Sequence, residues 1–250
     1  MSHALQWVRS VVFIGQMYLA MPVIALVFLP WALASRRGAL MACHSYCRWV
    51  RWTARWIAGL KTEVRGTPPE DEVVIAAKHQ SFLDILMIYG ALPRPRFIMK
   101  KQLVYAPILG WYALKVGCVP VDRGKRGHAI RQMLERVADG AEVPGQLIIY
   151  PQGTRVAPGA HLPYKVGTAV LYQELGQDCV PVATNVGVFW PRHGFFRKPG
   201  VAVVEFLDPI PAGRSPRAFL AELEEVIEAR SDALMAEAGF EGTRKQQEQA

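Results

Sequence analysis

Val73-Val74-Ile75-Ala76-Ala77-Lys78-His79-Gln80-Ser81-Phe82-Leu83-Asp84 is an apolar run that breaks into polar residues and then resumes as a helical pattern. Five apolar residues bounded by polar ones suit a buried strand. Ser81, followed three residues later by Asp84, is the signature of a capped helix start. The stretch therefore reads as strand, turn, helix. His79 and Asp84 are five residues apart, so inside one helix they would point about 140° away from each other. They meet only if His79 lies in the turn and Asp84 in the first helical turn. That arrangement gives a histidine general base oriented by a carboxylate, as in a hydrolytic triad without its serine. The plainer reading is that Asp84 only satisfies the helix end.

Working outward, the pattern repeats. Short β-rich runs at 73–77, 96–99, 118–121, 146–150, 180–183 and 201–206 alternate with helical patterns near 81–89, 107–115, 128–138 and 165–175. Such alternation implies an α/β fold with a largely parallel sheet flanked by helices. Ser215 and Pro216 mark the start of a last helix, with Leu220, Leu223, Ile227 and Leu234 as its apolar stripe and Gly239 as its stop. The Pro-rich stretch 67–71 is read as a boundary. It divides the chain into an N-terminal segment 1–66, an α/β domain 67–240 and a polar tail 241–250.

Three further strand ends carry polar residues. Gly117-Cys118-Val119-Pro120-Val121-Asp122-Arg123 runs from a strand into a turn with an arginine. Leu147-Ile148-Ile149-Tyr150-Pro151-Gln152-Gly153-Thr154-Arg155 is a buried strand breaking into Gly-Thr-Arg. Glycine lets backbone amides approach a ligand, while threonine and arginine form a donor set suited to phosphate. Val180-Pro181-Val182-Ala183 is a fourth block. Each alone is commonplace, since a lone arginine at a strand end is usually solvated.

Together, in this order, the blocks resemble the glycerolipid acyltransferase family, above all the bacterial 1-acylglycerol-3-phosphate acyltransferases. That family is marked by H-x4-D, a strand ending in Arg, E-G-T-R and a V-P-V/I block. It also has a lysine like that of Phe97-Ile98-Met99-Lys100 and a Gly-Trp like Gly110-Trp111. One departure is Gln152, where the family usually has Glu. Gln keeps hydrogen-bonding capacity but no charge, so the position is read as structural or orienting. A literal Glu241-Gly242-Thr243-Arg244 lies in the tail without a preceding strand and is read as chance.

The resemblance implies a single acyltransferase domain that moves a fatty acyl group from acyl-CoA or acyl-carrier protein to the sn-2 hydroxyl of lysophosphatidic acid, giving phosphatidic acid. His79 and Asp84 would be the catalytic pair. Lys100, Arg123, Gly153, Thr154 and Arg155 would bind the phosphate-bearing substrate. No cofactor and no metal would be needed. G-x-S-x-G is absent, and a thioester is already activated towards a hydroxyl. Glycerol-3-phosphate or another lysolipid is the alternative acceptor, and a non-catalytic lipid-binding protein the alternative from another class.

Charge and aromatics set the N-terminal segment apart. Residues 1–62 hold seven Lys or Arg and no acid, whereas the remaining 188 hold 22 basic and 21 acidic residues. Five of the seven tryptophans, Trp7, Trp31, Trp49, Trp52 and Trp56, fall there too. A nucleic-acid binder would carry its basic patch on the folded domain, so this distribution points instead to a membrane surface. The uncharged stretch 10–35 is long enough to span, but Pro22 and Pro30 favour a bent or re-entrant segment. Tyr46, Trp49, Val50, Thr53, Trp56, Ile57 and Leu60 share one helical face, opposite Arg48, Arg51 and Arg55, as in a helix lying among headgroups. The expectation is two helices holding the domain on the cytosolic face of the cytoplasmic membrane. A signal peptide fits less well, because its apolar core is only about 7–15 residues. Cys43, His44 and Cys47 are neighbours but lack a second pair at zinc spacing.

Overall fold

The computed structural model describes residues 2–121 and 145–240. Arg123, the helix expected near 128–138 and the tail 241–250 lie outside them. Two long helices come first, α1 (His3–Ala34) and α2 (Arg36–Thr53). Ser35 both ends the first and starts the second. Its backbone N–H donates to the Trp31 carbonyl, and its side chain accepts from the Gly38 N–H at 3.1 Å. α1 stays helical through Pro22 and Pro30, so neither proline breaks it. Each proline removes only its own donor, and the neighbouring helical bonds, with the packing of α2 alongside, keep the turn intact. At about 48 Å, α1 is long and apolar enough to cross a bilayer core.

α2 divides its faces differently from the reading above. Val50, Thr53 and Leu60 are buried in the protein, while Trp49, Trp52 and Trp56 stand exposed beside Arg48 and Arg55. The core side is made instead by Ala39, Ala42, Cys47, Val50 and Ala54, residues small enough to admit the neighbouring elements closely. The indoles thus face away from the core. Leu19, Leu26 and Val27 of α1 are uncovered as well.

A single wide turn, Ala54–Ala58, closes with Gly59 in the left-handed region at φ 72° and leads into β1 (Leu60–Arg65). There follow β2 (Val74–Ala77), α3 (Phe82–Ala91), β3 (Pro95–Lys100), α4 (Leu109–Lys115), β4 (Val119–Val121) and β5 (Gln146–Ile149). Then come α5 (Val166–Leu175), β6 (Cys179–Thr184), β7 (Gly200–Phe206) and α6 (Pro216–Glu237). Among the described residues the seven strands form one sheet in the order β1-β7-β6-β2-β5-β3-β4. Every neighbouring pair is parallel except β6–β7. β2 is central, and all four of its residues are buried, as a parallel strand covered on both faces requires.

Strand β1 corrects the boundary placed at 67–71. Leu60 to Arg65 pair in register with Gly200 to Glu205, so the sheet begins before the prolines. The helices also pack into the body of the domain. Phe13, Met17, Val50, Ala54 and Ala58 belong to the same apolar core as Ile75, Leu83, Ile148 and Val204. Polar groups pin α1 to the body as well. Gln6 Nε2 donates to the carbonyls of Ala58 and Arg197, each at 2.8 Å, and the Arg197 N–H donates to Ser10 Oγ at 2.9 Å.

Candidate active site

β2 ends at Ala77 and α3 starts at Phe82, so Lys78 to Ser81 form the turn between them. His79 Nδ1 lies 2.8 Å from Asp84 Oδ1. The other carboxylate oxygen accepts from the backbone N–H groups of Gln80 at 2.8 Å and Ser81 at 2.7 Å. Asp84 thus closes a capping box with Ser81 and also lies against the histidine ring nitrogen. A carboxylate opposite Nδ1 accepts that nitrogen's proton, which leaves Nε2 as the acceptor. Asp84 is fully buried, whereas the His79 side chain retains 13% exposure. Among the described residues Nε2 has no hydrogen-bond partner.

That ring forms part of the wall of an apolar cavity of about 600 Å³, a size typical of ligand sites. Tyr150, at the end of β5, stacks on His79 with ring centroids 4.0 Å apart, and Phe97 continues the stack at 6.0 Å. The Tyr150 hydroxyl donates to Asp84 Oδ1 at 3.3 Å. Burial and the Asp84 carboxylate push the Tyr150 pKa well up, so this donor keeps its proton. Tyr89, Met99 and Tyr112 extend the cavity away from the histidine, and Cys43 and Cys118 lie along it. Burial pushes their thiols up to about 12 and about 11, which makes them inert lining rather than nucleophiles.

Gly153, Thr154, Arg155 and Lys100 all border the cavity that holds His79. Gly153 sits at φ 69°, a left-handed turn that a side chain would strain. The turn is tied to the histidine segment, because the Val156 N–H donates to the His79 carbonyl at 2.8 Å. Arg155 is half-buried, and its Nη1 donates to the Arg192 carbonyl at 3.5 Å. Lys100 is exposed at the end of β3. Asp122 and Arg123 lie outside the described residues.

Sequence reasoning missed a buried polar cluster behind the turn. Lys78, 2% exposed, forms an ion pair with Glu228 of α6. The Tyr164 hydroxyl and Gln152 Nε2 donate to the other Glu228 oxygen at 2.9 and 3.4 Å. Gln152 also donates to the Leu162 carbonyl at 3.3 Å. It thus braces the Gly-Thr-Arg turn from the side away from His79. No local signal marks Glu228, which reads in sequence as one more charge on an amphipathic helix. Gln80 is a second hidden brace, its Oε1 accepting from the Gly187 N–H at 2.9 Å.

Residues 61–185 match the family model described as Acyltransferase. A 1-acyl-sn-glycerol-3-phosphate acyltransferase of Pseudomonas aeruginosa is 31% identical over 197 residues, covering 78% of this chain and 76% of that protein. The Saccharomyces cerevisiae protein of the same name is 29% identical over 172 residues, covering 67% and 56%. The crystal structure of the 1-acyl-sn-glycerophosphate (LPA) acyltransferase PlsC from Thermotoga maritima matches with a TM-score of 0.75 at 20% identity. It covers 92% of this chain and 98% of that one, a likeness of fold that includes the helical segment. The match over half of its residues, and a bacterial relative aligned along most of both chains, show that this chain belongs to the acyltransferase family.

Proposed function

We propose that the protein transfers a fatty acyl group from a thioester donor to the sn-2 hydroxyl of lysophosphatidic acid, forming phosphatidic acid. One observation carries the chemistry: a histidine whose Nδ1 is fixed by a buried carboxylate presents Nε2 to an apolar cavity bordered by Thr154 and Arg155. Nε2 takes the proton of the acceptor hydroxyl as its oxygen bonds to the thioester carbonyl carbon. The carbon–sulfur bond then breaks, and the leaving thiolate recovers the proton from the imidazolium. Asp84 steadies that imidazolium and contributes orientation throughout. The cavity accommodates an acyl chain. Arg155, Thr154, Lys100 and Arg123 hold the acceptor phosphate, with the arginines dominant because a guanidinium binds phosphate through two parallel bonds. The donor is acyl-CoA or acyl-carrier protein, used as a substrate, and no cofactor takes part.

The acceptor and the product reside in a bilayer, and the exposed apolar surface of α1 with the Trp49, Trp52 and Trp56 indoles is suited to hold the domain there, on the cytosolic face. Replacing all three indoles by alanine should lower partition into anionic vesicles by about tenfold or more, without a shift in melting temperature. Sedimentation with liposomes measures this, and unchanged partition would assign the contact to α1 alone.

The reaction is tested by labelled acyl-CoA with lysophosphatidic acid in liposomes, with glycerol-3-phosphate and lysophosphatidylcholine as alternative acceptors. Phosphatidic acid as the dominant product supports the reading; preference for another acceptor, or no product with either donor, rejects it. Arg155→Ala should raise the acceptor KM about tenfold, whereas Arg244→Ala, in the tail, should leave it unchanged. The reverse order would mean that the tail holds the working Gly-Thr-Arg turn.

A further inference from the structure

A second cavity, of about 240 Å³, lies between α1 and the segment that follows Trp190. Arg155 and Arg192 border both it and the cavity at His79, so the two spaces adjoin at these residues. Arg197 borders only the smaller one. Three guanidiniums therefore converge there, and no residue of its wall is acidic. Among the described residues none of the three is paired with a carboxylate.

Arg197 is the unusual member. It is 6% exposed, stacks over the Trp190 ring at 4.3 Å, and gives Nη1 to the carbonyls of Gly194 at 3.0 Å and Phe196 at 3.2 Å. Its Nε is buried with no hydrogen-bond partner. Burial lowers its pKa to about 10, which still leaves it charged at neutral pH. A buried cation without a counter-charge is costly unless an anion arrives to pair with it. Its backbone is held in place on both sides by Gln6 and Ser10 of α1, so the site is built rather than incidental. Arg192 and Arg155 exchange side-chain bonds with each other's carbonyls, at 3.2 and 3.5 Å, which places them side by side at the junction.

We propose that this smaller cavity is a receiving subsite for the phosphate monoester of the acceptor lipid. Arg192 and Arg197 bind the headgroup beside α1 and present it to Arg155 and His79. The inference rests on the reading of the acceptor as a phosphate-bearing lysolipid. The source is a lipid rather than a free phosphate ester because Tyr18 and Phe195, each 62% exposed, stand at this cavity and give an acyl-bearing ligand an apolar surface.

The test uses the full chain in mixed micelles and reads equilibrium binding separately from turnover. Arg192→Met and Arg197→Met should each weaken binding of lysophosphatidic acid about tenfold and raise its KM to match, while leaving the affinity for monoacylglycerol, which lacks the phosphate, unchanged. Arg192→Lys should recover part of the loss. Unchanged affinity for lysophosphatidic acid in both methionine variants overturns the subsite. Equal weakening for monoacylglycerol overturns it too, since the residues would then serve structure alone. Displacement by glycerol-3-phosphate as effective as by lysophosphatidic acid overturns the lipid assignment. If Arg197→Met melts well below the wild type, the exposed Arg192 decides the matter. Wild-type protein that binds lysophosphatidic acid through these arginines but makes no phosphatidic acid rejects the acyl-transfer reading and leaves the subsite standing.

Discussion

His79→Ala should lower kcat for acyl transfer by about 10²–10⁴, with folding and vesicle binding intact. The magnitude is that of a lost general base, since the acceptor hydroxyl would then have to shed its proton to water. Folding survives because the His79 side chain is not a core residue. Its Asp84 partner still accepts from the Gln80 and Ser81 N–H groups, which keep the helix start closed. Initial rates with a saturating donor, beside a thermal melt of each variant, measure both halves of this expectation. A variant retaining a third or more of wild-type kcat would remove His79 from the chemistry and return Asp84 to a capping role alone.

The second large effect falls on stability. Glu228→Ala should cost about 3 kcal/mol, because it removes the ion-pair partner of the Lys78 ammonium at 2% exposure and leaves only the Asp232 carboxylate, beyond ion-pair distance, facing it. The Tyr164 hydroxyl and the Gln152 amide lose an acceptor in the same step. Lys78 adjoins His79, so activity falls along with the midpoint of thermal unfolding. The double variant Lys78→Met with Glu228→Met separates charge from packing. With neither charge left, much of the stability returns, as expected when a buried ion pair gives way to apolar side chains. A Glu228→Ala midpoint within a degree of wild type would show that water reaches Lys78.

The sequence carries the His79–Asp84 pair openly because both members lie on one strand-to-helix connection, where the geometry is local. The parallel strands are legible for a similar reason: Val74–Ala77 and Gln146–Ile149 are short apolar runs closed by polar turns. The last helix starts where Ser215 and Pro216 place it, with the Ser215 side chain accepting from Ala218 N–H at 3.4 Å. β1 is hidden by contrast. Leu60 continues the helical spacing of Trp56 and Ile57, and only the distant partner Gly200 makes an extended chain there worthwhile. The faces of α2 were misassigned because periodicity separates apolar from charged residues but does not distinguish a side that meets protein from one that meets lipid. Glu228, Arg192 and Arg197 escaped notice because their partners are remote in the chain, and a lone charge on a helix or loop has the same local sequence whether it is solvated or buried. Gln152 was visible as a departure, but its surroundings were not.

The clamp between α1 and the loop at Arg197 joins groups 187 residues apart in the chain, Ser10 to Arg197, and β1 pairs with a strand of similarly late synthesis. On the ribosome, the Phe13 and Met17 face of α1 emerges long before Trp190 and Phe206, with which it shares the core. The early companions of that face are α2 and the first half of the body, through residues such as Leu60, Ile75 and Leu83. The core shared by α1 and the sheet is therefore completed only after β7 has been made. Pairings of such wide sequence separation fold slowly and leave aggregation-prone edges open while they wait. The helical pair is thus part of the folding unit, and a chain lacking residues 1–59 should be left with an unfinished core rather than a free-standing α/β domain.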